Sequence, residues 1–399
     1  MRIELPREAE RFGANLFHGV QKVYELDSGL SYDIAKSEES VILRIPYEQL
    51  YEIEKQMVII VPVYAERIKL IEGVLFAIPH QCLTIIVSNS PREPVDRFQM
   101  EKKAIENFCK FSKKNVIVVH QKDPLFARAF QSAGYPEILT EDGEIRNGKA
   151  EGMIVGTALA KLTGRKYIGF IDADNYFPGS AHEYILEYAA GFATTQSDYA
   201  MVRIVWQSKP KVMQSNLYFA KWGRTSVVTN RFLNLLISHY TGFETEVIKT
   251  GNAGEHALTM DLAMLLDYSS GYSIETCHFI NLMEKFGGIT KSPFPEVMRQ
   301  HVDVYQIESR NPHLHESKGE DHVEDMIYAS LQVIYHSHLC PKPIRDEILD
   351  ELLHRKIIEK GEIPAKPMYY PALNKLDFKK FLREIEDYPF SNLLSLDSV

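Results

Sequence analysis

From residue 57 onward the chain alternates short β-type runs with helical segments, and this alternation restricts the fold more than any other feature of the sequence. Strands that are joined by helices usually lie parallel in one sheet, with helices on both faces. The pattern therefore predicts an α/β fold with a doubly wound, mostly parallel sheet. The expected strands cover 57–63, 83–88, 115–120 and 166–171, and the expected helices cover 67–77, 96–111, 123–133 and 148–162.

The 399 residues exceed what one ordinary core needs, so we expect either a large α/β unit with a substantial extension or two intimately packed domains. Residues 1–55 are predicted to form an N-terminal extension that packs on the core. Residues 56–206 carry the regular α/β half, and residues 207–399 form a smaller part with helices and long turns. Within that part, residues 345–359 have the spacing of an amphipathic packing helix.

Composition indicates a soluble globular protein, with 45% hydrophobic and 25% charged residues. The formal net charge of -9 argues against nucleic acids and anionic membranes as partners, because both require a broad positive field. The apolar run at 57–63 is far too short to span a membrane, and the charged N-terminus does not resemble a signal peptide. We therefore expect a cytoplasmic protein. Enzymes of this size are often dimers, so a homodimer is compatible with the sequence.

An acidic pair follows the expected strand at 166–171. Asp172 and Asp174 are separated by Ala173, so in an extended segment both side chains point the same way. Open α/β sheets bind ligands at the carboxyl ends of their strands, where one aspartate suits a sugar or ribose and the other a divalent metal. Aspartates at a strand end also favour turns and helix caps, so the pair alone does not decide between these interpretations.

Other polar groups are expected at the same edge of the sheet. Pro62 and Glu66 lie at the end of the first regular strand, and Ser88 ends the second. Lys149 lies in a glycine-spaced basic segment that opens a helix, where its ammonium and the backbone amides suit a diphosphate. This segment lacks the spacing of an ATPase phosphate loop. Convergence of these groups favours a nucleotide-binding crevice.

The order of these elements resembles the A-type fold of nucleotide-sugar glycosyltransferases, in which an Asp-x-Asp element holds a divalent metal against the donor diphosphate. Three segments of the second half, at 222–226, 250–257 and 310–316, look like elements of the mannosyl-3-phosphoglycerate synthase family. The resemblance implies transfer of mannose from GDP-mannose to the 2-hydroxyl of 3-phosphoglycerate, with retention at the anomeric carbon. The product would be the precursor of the compatible solute mannosylglycerate.

On the donor side, the resemblance implies that Pro62, Glu66 and Ser88 meet guanosine and that Lys149 meets the phosphates. Asp172, Ala173 and Asp174 would hold the sugar nucleotide with its metal, and the two aspartates would be catalytic. Asp174 is the better direct metal ligand. The expected cofactor is a divalent metal such as Mg, Mn or Co, and an imidazole among oxygen ligands favours the transition metals.

The histidine that would complete the metal shell is either His313 or His315, and the residues alone do not decide between them. In an extended segment both would face one side, although Pro312 could bend the chain and turn one of them outward.

On the acceptor side, the resemblance implies that Gly223, Arg224 and Thr225 hold the phosphate of 3-phosphoglycerate, because guanidinium and hydroxyl donors suit a dianion. Arg128 and Arg231 are weaker candidates, for the acceptor carboxylate. Glu255 is a further catalytic candidate that would reach mannose hydroxyls or the acceptor alcohol. We expect front-face substitution rather than a double displacement, since the sequence contains no obvious buried nucleophile.

Two alternative functions use the same elements. A glucosyl-3-phosphoglycerate synthase would share the fold and reaction, because donor choice depends on pocket shape. A nucleotidyltransferase also uses an α/β sheet with metal-binding acids, but such enzymes usually carry a glycine-rich basic loop after the first strand, where this chain has residues 62–67.

Overall fold

The structure, a computed structural model, describes residues 1–26, 42–206, 209–213, 216–220, 224–316, 320–390 and 394. For residues 209–213, 216–220, 224, 315, 316 and 320 it describes the backbone but not the side chain.

The described strands and helices follow the chain in this order. The strands are β1 (Arg2–Glu4), β2 (Ala9–Phe12), β3 (Asn15–Glu25), β4 (Ile42–Arg44), β5 (Met57–Val63), β6 (Leu83–Ser88), β7 (Val116–His120), β8 (Tyr167–Phe170), β9 (Tyr199–Trp206), β10 (Lys209–Met213), β11 (Asn216–Ala220), β12 (His256–Thr259), β13 (Tyr268–Ser269), β14 (Val302–Ser309), β15 (His315–Glu316) and β16 (Tyr369–Tyr370). The α-helices are α1 (Tyr47–Lys55), α2 (Ile68–Ala77), α3 (Arg97–Ser112), α4 (Pro124–Ser132), α5 (Lys149–Leu162), α6 (Pro178–Thr194), α7 (Arg224–Thr241), α8 (Met260–Ala263), α9 (Ile274–Phe286), α10 (Pro295–Arg299), α11 (Glu320–His336), α12 (Lys342–His354) and α13 (Phe378–Glu384).

Among the described strands, eleven form one large sheet. Its order is β4-β1-β3-β14-β9-β12-β8-β5-β6-β7, with β2 paired to β3 outside this path. The contiguous run β8-β5-β6-β7 is parallel, and so is the run β9-β14-β3. Strand β12 lies between the two runs and is antiparallel to both neighbours. The predicted α/β fold with a mostly parallel sheet is confirmed.

Apolar residues on both faces of the central strands explain why helices cover the sheet on both sides. In β5, Val58 and Ile60 join the core cluster that contains α4, α5, α7 and α9. The alternate residues Ile59 and Val61 join a second cluster with α1, α2 and α6. Because successive side chains of a strand point to opposite faces, an uninterrupted apolar run is buried on both.

The sheet takes strands from all parts of the chain. Strands β1 to β4 extend it at one side, while β12 and β14 from the second half of the sequence lie beside β8 and β9. The second half therefore contributes directly to the central sheet, and the division at 206/207 stays a prediction. None of the described helices combines the length and the apolarity that a membrane span requires.

The predicted regular elements between residues 57 and 171 are found to within about two residues at their ends. The amphipathic helix expected at 345–359 is wrong in its limits, because α12 runs from Lys342 to His354. It begins earlier since a proline is tolerated in the first helical turn. It ends earlier because Lys356 adopts a left-handed conformation, with φ of 60°.

Candidate active site

The carboxyl ends of β5, β6 and β8 meet at one edge of the sheet. Backbone hydrogen bonds continue the ladder there: Asn89 N donates to Val63 O at 2.8 Å, and Ile171 N donates to Ile60 O at 3.1 Å. Strand β8 pairs with β5 only as far as Ile60, so the missing N–H of Pro62 leaves no ladder bond unmade on that side. The polar residues that follow these strands therefore share one crevice.

The end of β5 and the loop that follows it contain two of the predicted donor-binding residues. Pro62 is half-buried within the strand, and Glu66 is half-buried in the loop, where its carboxylate accepts from Tyr64 N at 2.5 Å. Arg97 fixes the loop from α3, because its Nη2 atom donates to the carbonyls of Ala65 at 2.9 Å and Glu66 at 2.7 Å. The carbonyl groups of this loop thus have a fixed direction.

Ser88 is buried, and its hydroxyl does not face the crevice as an unengaged donor. It donates to Glu101 Oε2 at 2.8 Å, and Ser90 donates to Glu101 Oε1 at the same distance. Glu101 is itself 1% exposed, so it holds Ser88 and Ser90 at the end of β6 from the protein interior. In this arrangement Ser88 supports the crevice wall, and its predicted contact with guanosine stays a prediction.

Lys149 is the first residue of α5, directly after Gly148, which has φ of 148°. Its Nζ atom lies 2.7 Å from Asp172 Oδ1 and 3.1 Å from Glu275 Oε1. The Lys149 side chain is 20% exposed and that of Asp172 is 30% exposed, so both reach solvent at the crevice. The ion pair joins the predicted phosphate-binding lysine to the first acid of the predicted pair.

Burial alone would lower the pKa of Lys149, but the carboxylates of Asp172, Glu275 and Glu255 outweigh it and hold this pKa above its usual value. The lysine is therefore a permanent cation in an acidic surrounding. Gly254 packs directly against the ion pair. A Cβ atom at this position would lie 2.7 Å from Asp172 Oδ2 and 3.0 Å from Lys149 Nζ.

The second layer of the site centres on Glu255, which is fully buried immediately before β12. Its Oε1 atom accepts from Asn175 Nδ2 at 3.0 Å and lies 3.8 Å from His313 Nδ1. His313 is also buried, and its ring stacks on Trp206 with centroids 4.4 Å apart. Glu255 therefore connects the segment after the acidic pair to the predicted metal histidine.

Residues 172–176 and 310–314 lie side by side, because Tyr176 N donates to Leu314 O at 3.0 Å. This hydrogen bond places the segment that contains the half-buried Asp174 beside the segment that contains His313. One carboxylate and one imidazole suit a divalent metal whose remaining positions are filled by oxygen atoms of substrate or water. Because Glu255 Oε1 lies on the Nδ1 side of the ring, Nε2 is the His313 nitrogen that such an ion would approach. The residues fit such an ion.

Among the residues whose side chains are described, no group of three or more His, Cys, Asp and Glu forms a ready metal site. His315 begins β15, which pairs with β10 opposite Lys211, but its side chain is outside the description. The choice between His313 and His315 as ligand therefore stays a prediction.

Arg203, on β9, organises the turn that contains Gly254. The guanidinium is fully buried and donates to Thr250 O at 2.8 Å and to Ala253 O at 3.3 Å. His256 donates from Nδ1 to Gly254 O at 2.9 Å. Burial, helped by nearby Arg203, lowers the pKa of His256 well below its usual value. This histidine is neutral, and its hydrogen bond helps to fix the turn.

The predicted acceptor residues are only partly described. Gly223 lies outside the described residues, and Arg224 begins α7 with an undescribed side chain. Thr225 is buried in the first turn of the same helix. Arg128 is exposed on α4, which follows the edge strand β7. Arg231 is exposed, and its guanidinium pairs with Glu347 at 2.8 Å and Glu351 at 3.4 Å on α12.

Sequence reasoning missed Glu275, Asn175 and Arg203. Glu275 lies 126 residues beyond the lysine that it pairs with, in the first turn of α9, where an acidic residue is common for helix-dipole reasons. Asn175 follows the acidic pair at a position where asparagine is common in turns, so its sequence context gives no sign of a partner. Arg203 could have been noticed, because an arginine within an otherwise apolar run predicts a buried partner.

Among solved structures, the chain is similar to glucosyl-3-phosphoglycerate synthase from Mycobacterium tuberculosis in complex with Mn²⁺, UDP and glucosyl-3-phosphoglycerate. The identity is 16% and the TM-score 0.49, with 83% of this chain and 97% of that chain covered. A second structure of that enzyme, with Mn²⁺, UDP-glucose and phosphoglyceric acid, gives 16% identity and a TM-score of 0.49 over 88% of this chain and 97% of that one.

Similarity in sequence extends over nearly the whole chain. Residues 5–385 match the family model described as mannosyl-3-phosphoglycerate synthase. The mannosyl-3-phosphoglycerate synthase of Pyrococcus furiosus is 45% identical over 388 residues, which are 97% of this chain and 98% of that protein. The enzyme of the same name from Aeropyrum pernix is 35% identical over 391 residues, with 97% and 98% covered. The chain therefore belongs to the mannosyl-3-phosphoglycerate synthase family.

Proposed function

We propose that this protein transfers mannose from GDP-mannose to the 2-hydroxyl of 3-phosphoglycerate, with retention, and so produces mannosyl-3-phosphoglycerate for mannosylglycerate synthesis. The observation that carries the proposal is the ion pair of Lys149 with Asp172 at the carboxyl edge of the sheet, next to Asp174. In a member of the mannosyl-3-phosphoglycerate synthase family, this arrangement supplies the cation and the acids that binding of a sugar nucleotide requires.

In the proposed donor complex, the guanosine lies over the β5 and β6 ends, near Pro62, Glu66 and Ser88. The diphosphate reaches the start of α5, where backbone N–H groups and the Lys149 ammonium favour negative charge. Because the leaving nucleoside diphosphate gains charge as the glycosidic bond breaks, Lys149 stabilises the transition state more than the ground state. Asp172 keeps the lysine directed into the crevice and, with Ala173, borders the sugar.

The proposed cofactor is a divalent metal held by Asp174 and His313, with His315 as the alternative histidine. When bound, the ion neutralises charge on the donor diphosphate. Glu255 Oε1 lies 3.8 Å from His313 Nδ1, beyond hydrogen-bond distance, so Glu255 would act on the imidazole through its negative charge. Since Glu255 is fully buried, we assign it this supporting role in place of direct contact with mannose or the acceptor alcohol.

The proposed acceptor site lies at the start of α7, where Gly223, Arg224 and Thr225 would hold the phosphate of 3-phosphoglycerate. Asn230 links this helix to the site, because its Oδ1 atom accepts from Gly251 N at 2.7 Å. The carboxylate of the acceptor is assigned to Arg128. Arg231 is the weaker candidate, since it already pairs with two glutamates.

We infer front-face substitution as the mechanism of retention. The leaving phosphate accepts the proton of the acceptor hydroxyl while the hydroxyl oxygen attacks from the same face. Burial of Glu255 beside Asn175 supports this, because a nucleophile of a double displacement must touch the anomeric carbon. Mass spectrometry of the enzyme incubated with GDP-mannose and Mn²⁺, without acceptor, is expected to show no mannosyl ester. An added hexosyl mass on a carboxylate peptide would contradict the inference.

The function is tested by release of GDP from GDP-mannose in the presence of 3-phosphoglycerate and Mn²⁺. We expect release that depends on the acceptor and is lost with EDTA and in Asp174→Ala. A parallel assay with glucose nucleotides distinguishes a glucosyl-3-phosphoglycerate synthase from the proposed enzyme. Release of pyrophosphate from a nucleoside triphosphate would instead identify a nucleotidyltransferase. Turnover with a glucose donor alone, or of the triphosphate alone, would contradict the proposal.

A further inference from the structure

Helix α6 holds the segment that carries His313. The carboxylate of Glu183, one turn into the helix, accepts from Arg310 N at 2.6 Å, from Asn311 N at 2.9 Å and from Asn311 Nδ2 at 2.5 Å. Ser180 Oγ donates to Pro312 O at 3.1 Å from the first turn of the same helix. Each of the three residues before His313 is thus hydrogen-bonded to a side chain of α6.

The same helix also fixes the ring against which His313 packs. Tyr184, the residue after Glu183, accepts from Trp206 Nε1 at 3.1 Å, and Trp206 stacks on the imidazole. The backbone that leads to His313 is therefore held through Glu183. The Trp206 ring that stacks on the His313 imidazole is held separately, through Tyr184.

Glu183 makes the stronger of these connections. Its side chain is 1% exposed, and an ionised carboxylate that accepts three N–H donors forms bonds about twice as strong as neutral ones. Both carboxylate oxygens are in use, because Oε1 accepts from Arg310 and Oε2 from Asn311. A glutamine would turn an N–H₂ group toward at least one N–H donor, so a neutral isostere does not replace it.

We propose that Glu183 is a positioning residue that sets the metal affinity of the active site by fixing the backbone of residues 310–312 and thereby the place of the His313 imidazole beside Asp174. The inference rests on the proposed role of His313 as metal ligand. Glu183 would touch neither metal nor substrate. Its effect would reach the site through the peptide N–H groups of Arg310 and Asn311.

The chain offers a matched control one turn further along the helix. Glu187 is also fully buried on α6, and burial together with the neighbouring carboxylate of Glu183 holds its pKa well above the usual range. Glu187→Gln therefore removes a buried carboxyl group from the same helix and keeps the shape of the side chain.

The test is a titration of Mn²⁺ against protein with saturating GDP, in which the free ion is followed by electron paramagnetic resonance. We expect Glu183→Gln to weaken Mn²⁺ binding about ten-fold or more, as loss of an outer partner of a metal ligand commonly does. Glu187→Gln is expected to stay within about two-fold of the parent. Glu183→Asp keeps the charge on a shorter side chain and should fall between them.

Activity gives a second readout. If Glu183 acts through the metal, high Mn²⁺ restores kcat of Glu183→Gln, whereas general damage to the fold lowers kcat at every concentration of the ion. A variant with the affinity of the parent and an unrestored kcat would overturn the inference.

His313→Ala separates the two levels of the argument. Loss of Mn²⁺ binding in His313→Ala but not in Glu183→Gln would overturn the role of Glu183 alone. Unchanged Mn²⁺ binding in His313→Ala would instead contradict the metal assignment on which the inference rests. Loss in both variants, with Glu187→Gln intact, supports the proposal.

Discussion

The ammonium group of Lys149 lies 2.7 Å from the carboxylate of Asp172, across the crevice between the start of α5 and the end of β8. This ion pair connects the two elements that the site brings together, a helix N-terminus and a strand end. A donor diphosphate that binds here must compete with the carboxylates of Asp172 and Glu275 for the ammonium group of Lys149. Several consequences of this arrangement are measurable.

Replacing Lys149 with methionine keeps the length of the side chain and removes its charge. Asp172 and Glu275 then lose their shared partner, and the leaving diphosphate loses a stabilising cation. We expect kcat/KM for the donor to fall about 100-fold or more. Lys161→Met, on the same helix but in its last turn, is the control and should retain activity. Similar losses in both variants would show that the effect does not come from the ion pair.

Under the proposed function, Glu275 and the donor diphosphate would compete for Lys149, since Glu275 Oε1 lies 3.1 Å from Nζ in a nearly buried position. Glu275→Gln removes that negative charge and retains the shape. We expect GDP to bind about five-fold more tightly, which is the size of one moderately screened charge interaction. Isothermal titration with GDP and Mn²⁺ measures it. Weaker binding of GDP would show that Glu275 serves mainly to orient the lysine.

Gly254 leaves no room for a side chain, because a Cβ atom would lie 2.7 Å from Asp172 Oδ2 and 3.0 Å from Lys149 Nζ. Gly254→Ala should therefore displace the ion pair and lower kcat about 100-fold, the cost of a misplacement near 1 Å at a reacting centre. Gly179→Ala is the matched control, since among the described residues no atom outside its chain neighbours and its own helix backbone lies within 4 Å of the added methyl group. Full activity of Gly254→Ala would contradict the proposed place of the pair.

Stability should fall in acid because of His278. Burial, with Arg203 nearby, lowers the pKa of His278 from its ordinary value of about 6.5 to about 3. Below pH 6.5, His278 binds a proton in the unfolded chain but not in the folded chain. The free energy of unfolding therefore falls as the pH decreases toward 3. One such group contributes about 1.4 kcal/mol per pH unit.

His278→Phe keeps an aromatic ring that packs edge-on against His256 and cannot take up a proton. We expect the slope of unfolding free energy against pH, measured by urea denaturation between pH 4 and 6.5, to decrease by about one proton. The exposed His354→Gln serves as a control for the loss of any histidine. An unchanged slope in His278→Phe would show that His278 is protonated in the folded protein.

The regular half of the fold could be predicted because its signals are local. The run at β5 is apolar at nearly every position, and Asp123 followed by Pro124 marks the start of α4, where the Asp123 side chain accepts from Leu125 N at 3.0 Å. Such patterns specify strands, caps and their order without knowledge of the rest of the chain.

The parts that could not be predicted depend on distant segments. Nothing local in His256–Thr259 indicates that β12 lies antiparallel between β8 and β9. The partner of Lys149 on α9 and the packing of His313 on Trp206 arise only when the second half of the chain lies against the sheet. The sequence thus predicted that Lys149 and Asp172 lie in one crevice, where the structure pairs them, while the second layer around Glu255 and Glu183 required the structure.

The most direct test of the account is the structure of the product formed from GDP-mannose and 3-phosphoglycerate with Mn²⁺, determined by nuclear magnetic resonance. We predict an α-mannosyl linkage to the 2-hydroxyl of 3-phosphoglycerate, formed in equal amount to GDP and absent with Asp174→Ala. A β-linkage would contradict retention. Hydrolysis of the donor without a phosphoglycerate product, or no consumption of GDP-mannose, would contradict the proposed function itself.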